Sequence, residues 1–109
     1  MNFGNILSNG SFWQINKRMV HTVGWEASIV LADLITKREY FRNRGELKED
    51  GSFFNTQKNI EEDTLLTPHS QRMGLSKLRE FGILRIRKEG HPAKNYYLIN
   101  DKRIAEILL

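Results

Sequence analysis

Cysteine is absent from this chain of 109 residues, which excludes disulfide bonds and thiolate metal sites. The sequence also lacks a long apolar run, so it contains neither a recognisable signal peptide nor a membrane span. We therefore expect a cytoplasmic protein that has no membrane partner.

The residue combinations that usually build an active site are missing as well. The three histidines are far apart in sequence and form no His-x-x-x-His pair, so a zinc site is not expected. No glycine-rich phosphate loop ends in Lys-Ser or Lys-Thr, and the adjacent Glu61 and Glu62 would diverge on a helix. The sequence predicts a protein that is not an enzyme and that uses no metal or cofactor.

Length and charge point to a small domain with an anionic partner. A chain of this length fits one core, and we predict a flexible lead-in over residues 1–11 and a single domain over residues 12–109. Residues 67–109 contain nine Lys or Arg and four Asp or Glu, a net charge of +5, whereas residues 1–66 carry a net charge of −1. Positive charge is thus concentrated in the C-terminal part, as binding to phosphate groups requires.

The most informative stretch begins at Thr67. Its hydroxyl group can accept a hydrogen bond from a free N–H of a first helical turn, and Pro68 suits the first helical position. Gly82 can adopt the left-handed conformation that ends a helix. These signals predict a helix over Pro68–Phe81.

The predicted helix has two different faces. Gln71, Leu75 and Leu78 follow helical spacing and are expected to pack on the domain. The other face could enter a major groove, where Arg can bond guanine, or could be an ordinary solvated face. The net positive charge of the following segment favours the first interpretation. The candidate DNA-contacting residues of this helix are Thr67, Pro68, His69, Arg72, Met73 and Ser76.

The surrounding segments complete a winged helix-turn-helix of the α+β class. Thr56 caps a preceding short helix, and two strands follow Gly82, joined by a turn at residues 89–93. Phe53 and Phe54 could add a third strand, and residues 25–44 predict a long buried helix. The predicted architecture is a helical core, a small antiparallel sheet of two or three strands, and a C-terminal helix over residues 102–109.

The hairpin, or wing, carries the second set of candidate residues. Strand alternation sends Leu84 and Ile86 to the core and the intervening arginines outward. The candidate DNA-contacting residues of the wing are Arg85, Arg87, Lys88, His91 and Lys94. We expect them to lie along the DNA backbone or the flanking minor groove.

The C-terminal helix has two interpretations. Its apolar residues Ile104, Ile107 and Leu108 either pack on their own domain or join a second copy of the chain. The second is favoured by analogy with paired winged-helix proteins, so a homodimer through the N-terminal residues and this helix is expected.

The sequence resembles the amino-terminal winged-helix domain of phage, plasmid and primosomal replication-initiation proteins, the replisome-organiser or DnaD-like group. The likeness spans roughly residues 12 to 100, and its most specific element is the Gly-x-Pro-x-Lys wing tip at Gly90–Lys94, which follows the helix end Leu78–Leu84. The other matching residues are Ile15-Asn16-Lys17, Ala32, Leu34, Asp50-Gly51-Ser52-Phe53-Phe54, Thr56, Ile60, Glu62–Thr67, Gln71-Arg72 and Tyr96-Tyr97. Family members often place glycine where Leu65 stands, because this turn can need a positive φ.

The resemblance implies a double-stranded DNA-binding protein that acts in replication initiation, with other replication proteins as further partners. Two alternatives use the same fold. A transcriptional regulator would use the same DNA-binding surface at a promoter, whereas a protein-interaction module would use the apolar residues at the two ends of the chain and would not bind duplex DNA.

Overall fold

The computed structural model describes residues 13–109, so the predicted lead-in over residues 1–11 lies outside the described part. In chain order the elements are α1 (Lys17–Val23), α2 (Trp25–Asn43), β1 (Phe53–Phe54), α3 (Gln57–Thr64), α4 (Pro68–Glu80), β2 (Leu84–Glu89), β3 (Lys94–Ile99) and α5 (Asp101–Leu108). This is the predicted α+β winged helix-turn-helix, with α3 and α4 as the helix-turn-helix and β2–β3 as the wing. None of the helices within residues 13–109 has the length and apolar character needed to cross a membrane.

The long helix α2 forms the centre of the core, as its apolar sequence predicts. Val30 and Leu34 are fully buried, and the buried side chains of Ile60 from α3 and Leu78 from α4 belong to the same cluster. Burial of such side chains from water is the main favourable contribution to folding. The helix-turn-helix is therefore anchored to α2 by its apolar faces, and its polar faces remain available.

The two predicted caps fix where the helix-turn-helix begins and turns. Thr56 accepts a hydrogen bond of 3.0 Å from the N–H of Asn59, and Thr67 accepts one of 3.2 Å from Ser70. Between the helices, Leu65 has φ 62°, the left-handed conformation that the family resemblance associates with glycine. The side chain of Leu65 is 84% exposed, so this leucine adopts the conformation without packing in the core.

A glycine sets the distance between α4 and α2. A Cβ atom on the buried Gly74 would lie 2.9 Å from the carbonyl oxygen of Glu26, closer than real Cβ atoms come. The backbones of α4 and the first turn of α2 therefore approach closely at this point, which fixes the position of α4 against the core.

The sheet has three antiparallel strands in the order β1-β3-β2, and the predicted third strand is confirmed. Phe53 in β1 and Ile86 in β2 both pair with Tyr97 in β3. The rings of Phe53 and Tyr97 stack with centroids 6.1 Å apart on the buried side of the sheet. The neighbouring Tyr96 points to the other face and stays half-buried.

Helix α5 packs at least in part on its own domain. Asn100 caps it by accepting a hydrogen bond of 3.0 Å from Arg103 N–H. Its apolar residues Ile104, Ile107 and Leu108 are half-buried against the core cluster. These three side chains thus follow the first of the two interpretations rather than the favoured one, and a homodimer through α5 and the N-terminal residues stays a prediction.

Candidate nucleic-acid interface

One face of α4 carries all the candidate residues that the sequence assigned to this helix. We call it the recognition face, and its members Thr67, Pro68, His69, Arg72, Met73 and Ser76 are all exposed. The opposite side of the helix is closed, because Gln71, Gly74 and Leu78 are buried. The Gln71 side-chain amide also donates a hydrogen bond of 3.2 Å to the carbonyl of Leu66, which holds the start of α4 against the turn.

The recognition face borders a groove of about 550 Å³ between α4 and the start of α2, which we call the helix groove. Its residues are Val23, Gly24, Glu26 and Ala27 from the α1–α2 side and His69, Arg72, Met73, Gly74, Ser76, Lys77 and Glu80 from α4. The structure thus brings four of the six recognition-face residues to one continuous surface. Met73 is half exposed, so the polar surface contains an apolar group near its middle.

A second groove of about 510 Å³ lies between the end of α4 and the outer face of the wing, and we call it the arginine groove. It is bounded by Asp50, Arg79, Leu84, Arg85, Ile86, Arg87, Tyr96 and Leu98. Three arginines and one aspartate give this surface a net positive charge, which suits an anionic ligand.

Arg87 is already occupied by carboxylates. Its guanidinium donates a hydrogen bond of 2.7 Å to Asp50 and another to Glu89, and it lies 5.5 Å from the centre of the Tyr96 ring. The hydrogen bond to Glu89 and the nearby Asp50 raise the pKa of Arg87. Hydrogen bonds from Ser52 and the charge of Arg87 lower the pKa of Asp50. Two carboxylates therefore already neutralise the charge of Arg87, which makes this arginine less attractive to a phosphate group than an unpaired one.

The lysines of the wing lie in a third groove, of about 320 Å³, between the wing and the start of α3. Lys88 and Lys94 both border this lysine groove, and the ammonium group of Lys94 lies 5.4 Å from the Phe54 ring centre. His91 is exposed at the wing tip. The predicted wing residues therefore belong to two surfaces, with Arg85 and Arg87 on one and the lysines on the other.

Arg79 is a further basic residue of this candidate interface, and it was not among the contacts predicted from the sequence. It is exposed and follows Arg72 by seven residues, which is close to two helical turns. The two arginines therefore project from the same flank of α4. That seven-residue spacing was the signal in the sequence that could have indicated Arg79.

Metal ligands are not gathered at this surface. Within residues 13–109, no group of three or more His, Asp or Glu side chains is placed to hold a metal ion. The predicted lack of enzymatic activity stays a prediction.

The fold defines a winged helix-turn-helix domain, and solved structures share it. One is described as the N-terminal domain of a DNA-binding protein; the likeness has a TM-score of 0.67 at 17% sequence identity and covers 94% of this chain and 88% of that one. Another is described as a Rep–DNA complex. Its likeness to this chain has the same TM-score and sequence identity and covers 94% of this chain and 89% of that one. At this identity the likeness establishes the fold. No protein-family model and no curated protein matches the chain.

Proposed function

We propose that this chain is a double-stranded DNA-binding domain that acts in the initiation of phage- or plasmid-type replication. The observation that carries the proposal is the exposed recognition face on a helix whose other side is buried, beside a basic wing. Similarity in fold to a Rep–DNA complex supports the replication role.

In the proposed complex, α4 enters the major groove with its recognition face toward the bases. Arg72 is placed to donate two hydrogen bonds to a guanine, while His69 and Ser76 offer further polar groups. Thr67 and the first turn of α4 lie near a backbone phosphate, because free N–H groups at a helix start favour anions. The wing cations then position the protein on the flanking backbone without reading sequence.

The first experiment is selection of duplexes from a random-sequence pool, followed by binding measurements over a range of salt concentrations. If about five phosphates are neutralised, log K should fall against log salt with a slope of about −4 to −5. A flat salt response, or no binding to duplex DNA at moderate salt, would contradict the proposal and favour a protein-interaction module.

Two variants separate base reading from phosphate binding. Arg72→Ala should cost about 1–3 kcal/mol on the selected site and relax the preference at one base pair. Lys88→Ala should weaken binding to all sequences alike. Arg42→Ala is a charge-matched control, because Arg42 lies in the last turn of α2 and pairs with Glu39. Mapping the selected sequence to a replication origin or to a promoter would distinguish the replication role from transcriptional regulation.

A further inference from the structure

The arginine groove contains two exposed cations that come from different elements and have no acidic partner in the described part of the chain. Arg79 projects from the last turns of α4, and Arg85 projects from the first half of β2. Within residues 13–109, neither guanidinium forms an ion pair, although seven other cationic side chains do. Two like charges facing one groove without a counterion favour an anion between them.

Arg87, the third arginine of this groove, differs from the other two because it is paired with carboxylates. It binds Asp50 and Glu89, and the first of these contacts neutralises Asp50, which among residues 13–109 is the only acidic side chain that borders the groove. The Asp50–Arg87 pair therefore leaves Arg79 and Arg85 as the charges that a ligand meets. Tyr96 is half-buried beside them, and its hydroxyl group is of a kind that commonly bonds phosphate oxygens.

The position of the groove identifies the class of ligand. Arg79 lies on the same flank of α4 as Arg72, about 10.5 Å further along the helix. A DNA strand at the edge of the major groove that α4 enters would continue past this flank toward the wing. The anion expected at Arg79 and Arg85 is thus a phosphodiester of that strand.

We propose that Arg79 and Arg85 form a clamp for one or two backbone phosphates of the bound duplex, and that this clamp, rather than Arg87, is the main phosphate contact between α4 and the wing. This inference rests on the proposed function; it adds Arg79 to the predicted contacts and joins it to Arg85, which was already predicted as a wing contact. It assigns Arg87 a positioning role, in which the arginine holds Asp50 away from the approaching strand.

The test measures the salt dependence of duplex binding for Arg79→Ala, Arg85→Ala and the double variant. If each arginine neutralises its own phosphate, each single change should make the slope of log K against log salt less steep by about 0.9, and the double variant by about twice that amount. If both arginines hold one phosphate, the double variant should lose about 0.9 in total. Either change should appear on every sequence tested. Arg79→Lys should keep the slope, because counterion release depends on charge. Arg42→Ala removes the same charge at the far end of α2 and should leave the slope unchanged.

The outcomes separate this inference from the proposed function. The clamp is overturned if the Arg79 and Arg85 variants show the same salt slope as the parent chain and Arg42→Ala. In that case a loss of sequence preference in Arg72→Ala would still support DNA binding. If the parent chain binds no duplex, the proposed function fails and the clamp fails with it. Both arginines are exposed and have no ion-pair partner among the residues that the structure describes, so unchanged unfolding curves should accompany the loss of phosphate contacts.

Discussion

Arg38 in α2 donates two hydrogen bonds, of 2.9 and 3.0 Å, to the two carboxylate oxygens of Asp101 at the start of α5. The Arg38 side chain is only 10% exposed, whereas the Asp101 side chain is 66% exposed. The pair joins the central helix to the C-terminal helix through a two-bond geometry that fixes orientation as well as distance. An acidic side chain in the first turn of α5 also complements the helix dipole.

Breaking this pair should destabilise the domain more than breaking an exposed pair on the same helix. We expect Asp101→Ala to lower the free energy of unfolding by about 1–3 kcal/mol, because the guanidinium of Arg38 would remain largely buried without its partner. Urea unfolding measures the change. Arg42→Ala, which breaks the exposed pair with Glu39, should cost less than about 1 kcal/mol, and an equal cost for the two variants would contradict the special role of Asp101.

A buried carboxyl group lies between α2 and α3. Asp33 is 4% exposed and accepts a hydrogen bond of 3.3 Å from the Trp13 indole, and it also interacts with the carboxyl group of Asp63. Burial above all, and then the neighbouring Asp63, raise the pKa of Asp33 to about 7; the Trp13 hydrogen bond and Lys37 act in the opposite sense. Near neutral pH the folded protein therefore holds a proton at this site that the unfolded chain has released.

This proton makes stability depend on pH. The unfolded aspartate titrates near 3.8 and the folded one near 7, so the folded state binds more protons between these values. The contribution of Asp33 to the free energy of unfolding should therefore be largest at the acid end of this window and fall as pH rises toward 7. Asp33→Asn, compared with the parent chain by urea unfolding at several pH values, should remove this slope. Glu62→Gln changes an exposed carboxylate and should keep the pH dependence of stability. A Glu62→Gln variant without this pH dependence, or an Asp33→Asn variant that keeps it, would contradict the assignment to Asp33.

The order of helices and strands could be predicted because its signals are local. Thr56, Thr67 and Asn100 each cap the helix that follows, and each cap depends on residues within three positions of it in sequence. The exposed recognition face follows from the 3.6-residue period of α4. These features need no knowledge of distant parts of the chain.

The partners of individual charges could not be predicted, because they depend on tertiary contacts. Arg87 was expected to be free for DNA, yet it meets Asp50, which is 37 residues away. Likewise the carboxylate partner of Arg38 lies 63 residues further along the chain. Sequence alone indicates which residues are basic, whereas the fold decides which of them remain available to a ligand.

The turn of the helix-turn-helix should tolerate glycine better than leucine. Leu65 has φ 62°, and an L-residue with a side chain pays about 1–2 kcal/mol for this left-handed conformation. Because its side chain is 84% exposed, little burial is lost on removal. Leu65→Gly should therefore raise the free energy of unfolding by about 0.5–1 kcal/mol, after allowance for the greater freedom of glycine in the unfolded chain. Leu65→Ala keeps the backbone strain and should give no gain; a gain equal to that of glycine would show that backbone strain is not the cause.

The close approach at Gly74 leads to the opposite expectation. A methyl group there would meet the backbone of Glu26 and Ala27, which cannot rotate away as a side chain can. Gly74→Ala should thus lower the free energy of unfolding by about 1–3 kcal/mol, even though alanine favours helix formation. Ser76→Ala, on the exposed face of the same helix, should be neutral or slightly stabilising. A stabilised Gly74→Ala variant would mean that α4 and α2 can separate without cost.

Met73 places an exposed apolar group on the recognition face, and thymine is the base that offers an apolar partner in the major groove. We expect the selected DNA site to contain a thymine whose 5-methyl group contacts the Met73 side chain. Replacing that thymine by uracil removes only the methyl group and should cost about 0.8 kcal/mol, the value for burying one such group. In Met73→Ala the same replacement should have no effect, since the contact is already lost. The decisive measurement is a scan in which each thymine of the site is replaced in turn, with both proteins. If the parent chain binds every uracil-substituted site as tightly as the original site, the contact is contradicted. Met73 would then have no role in base recognition.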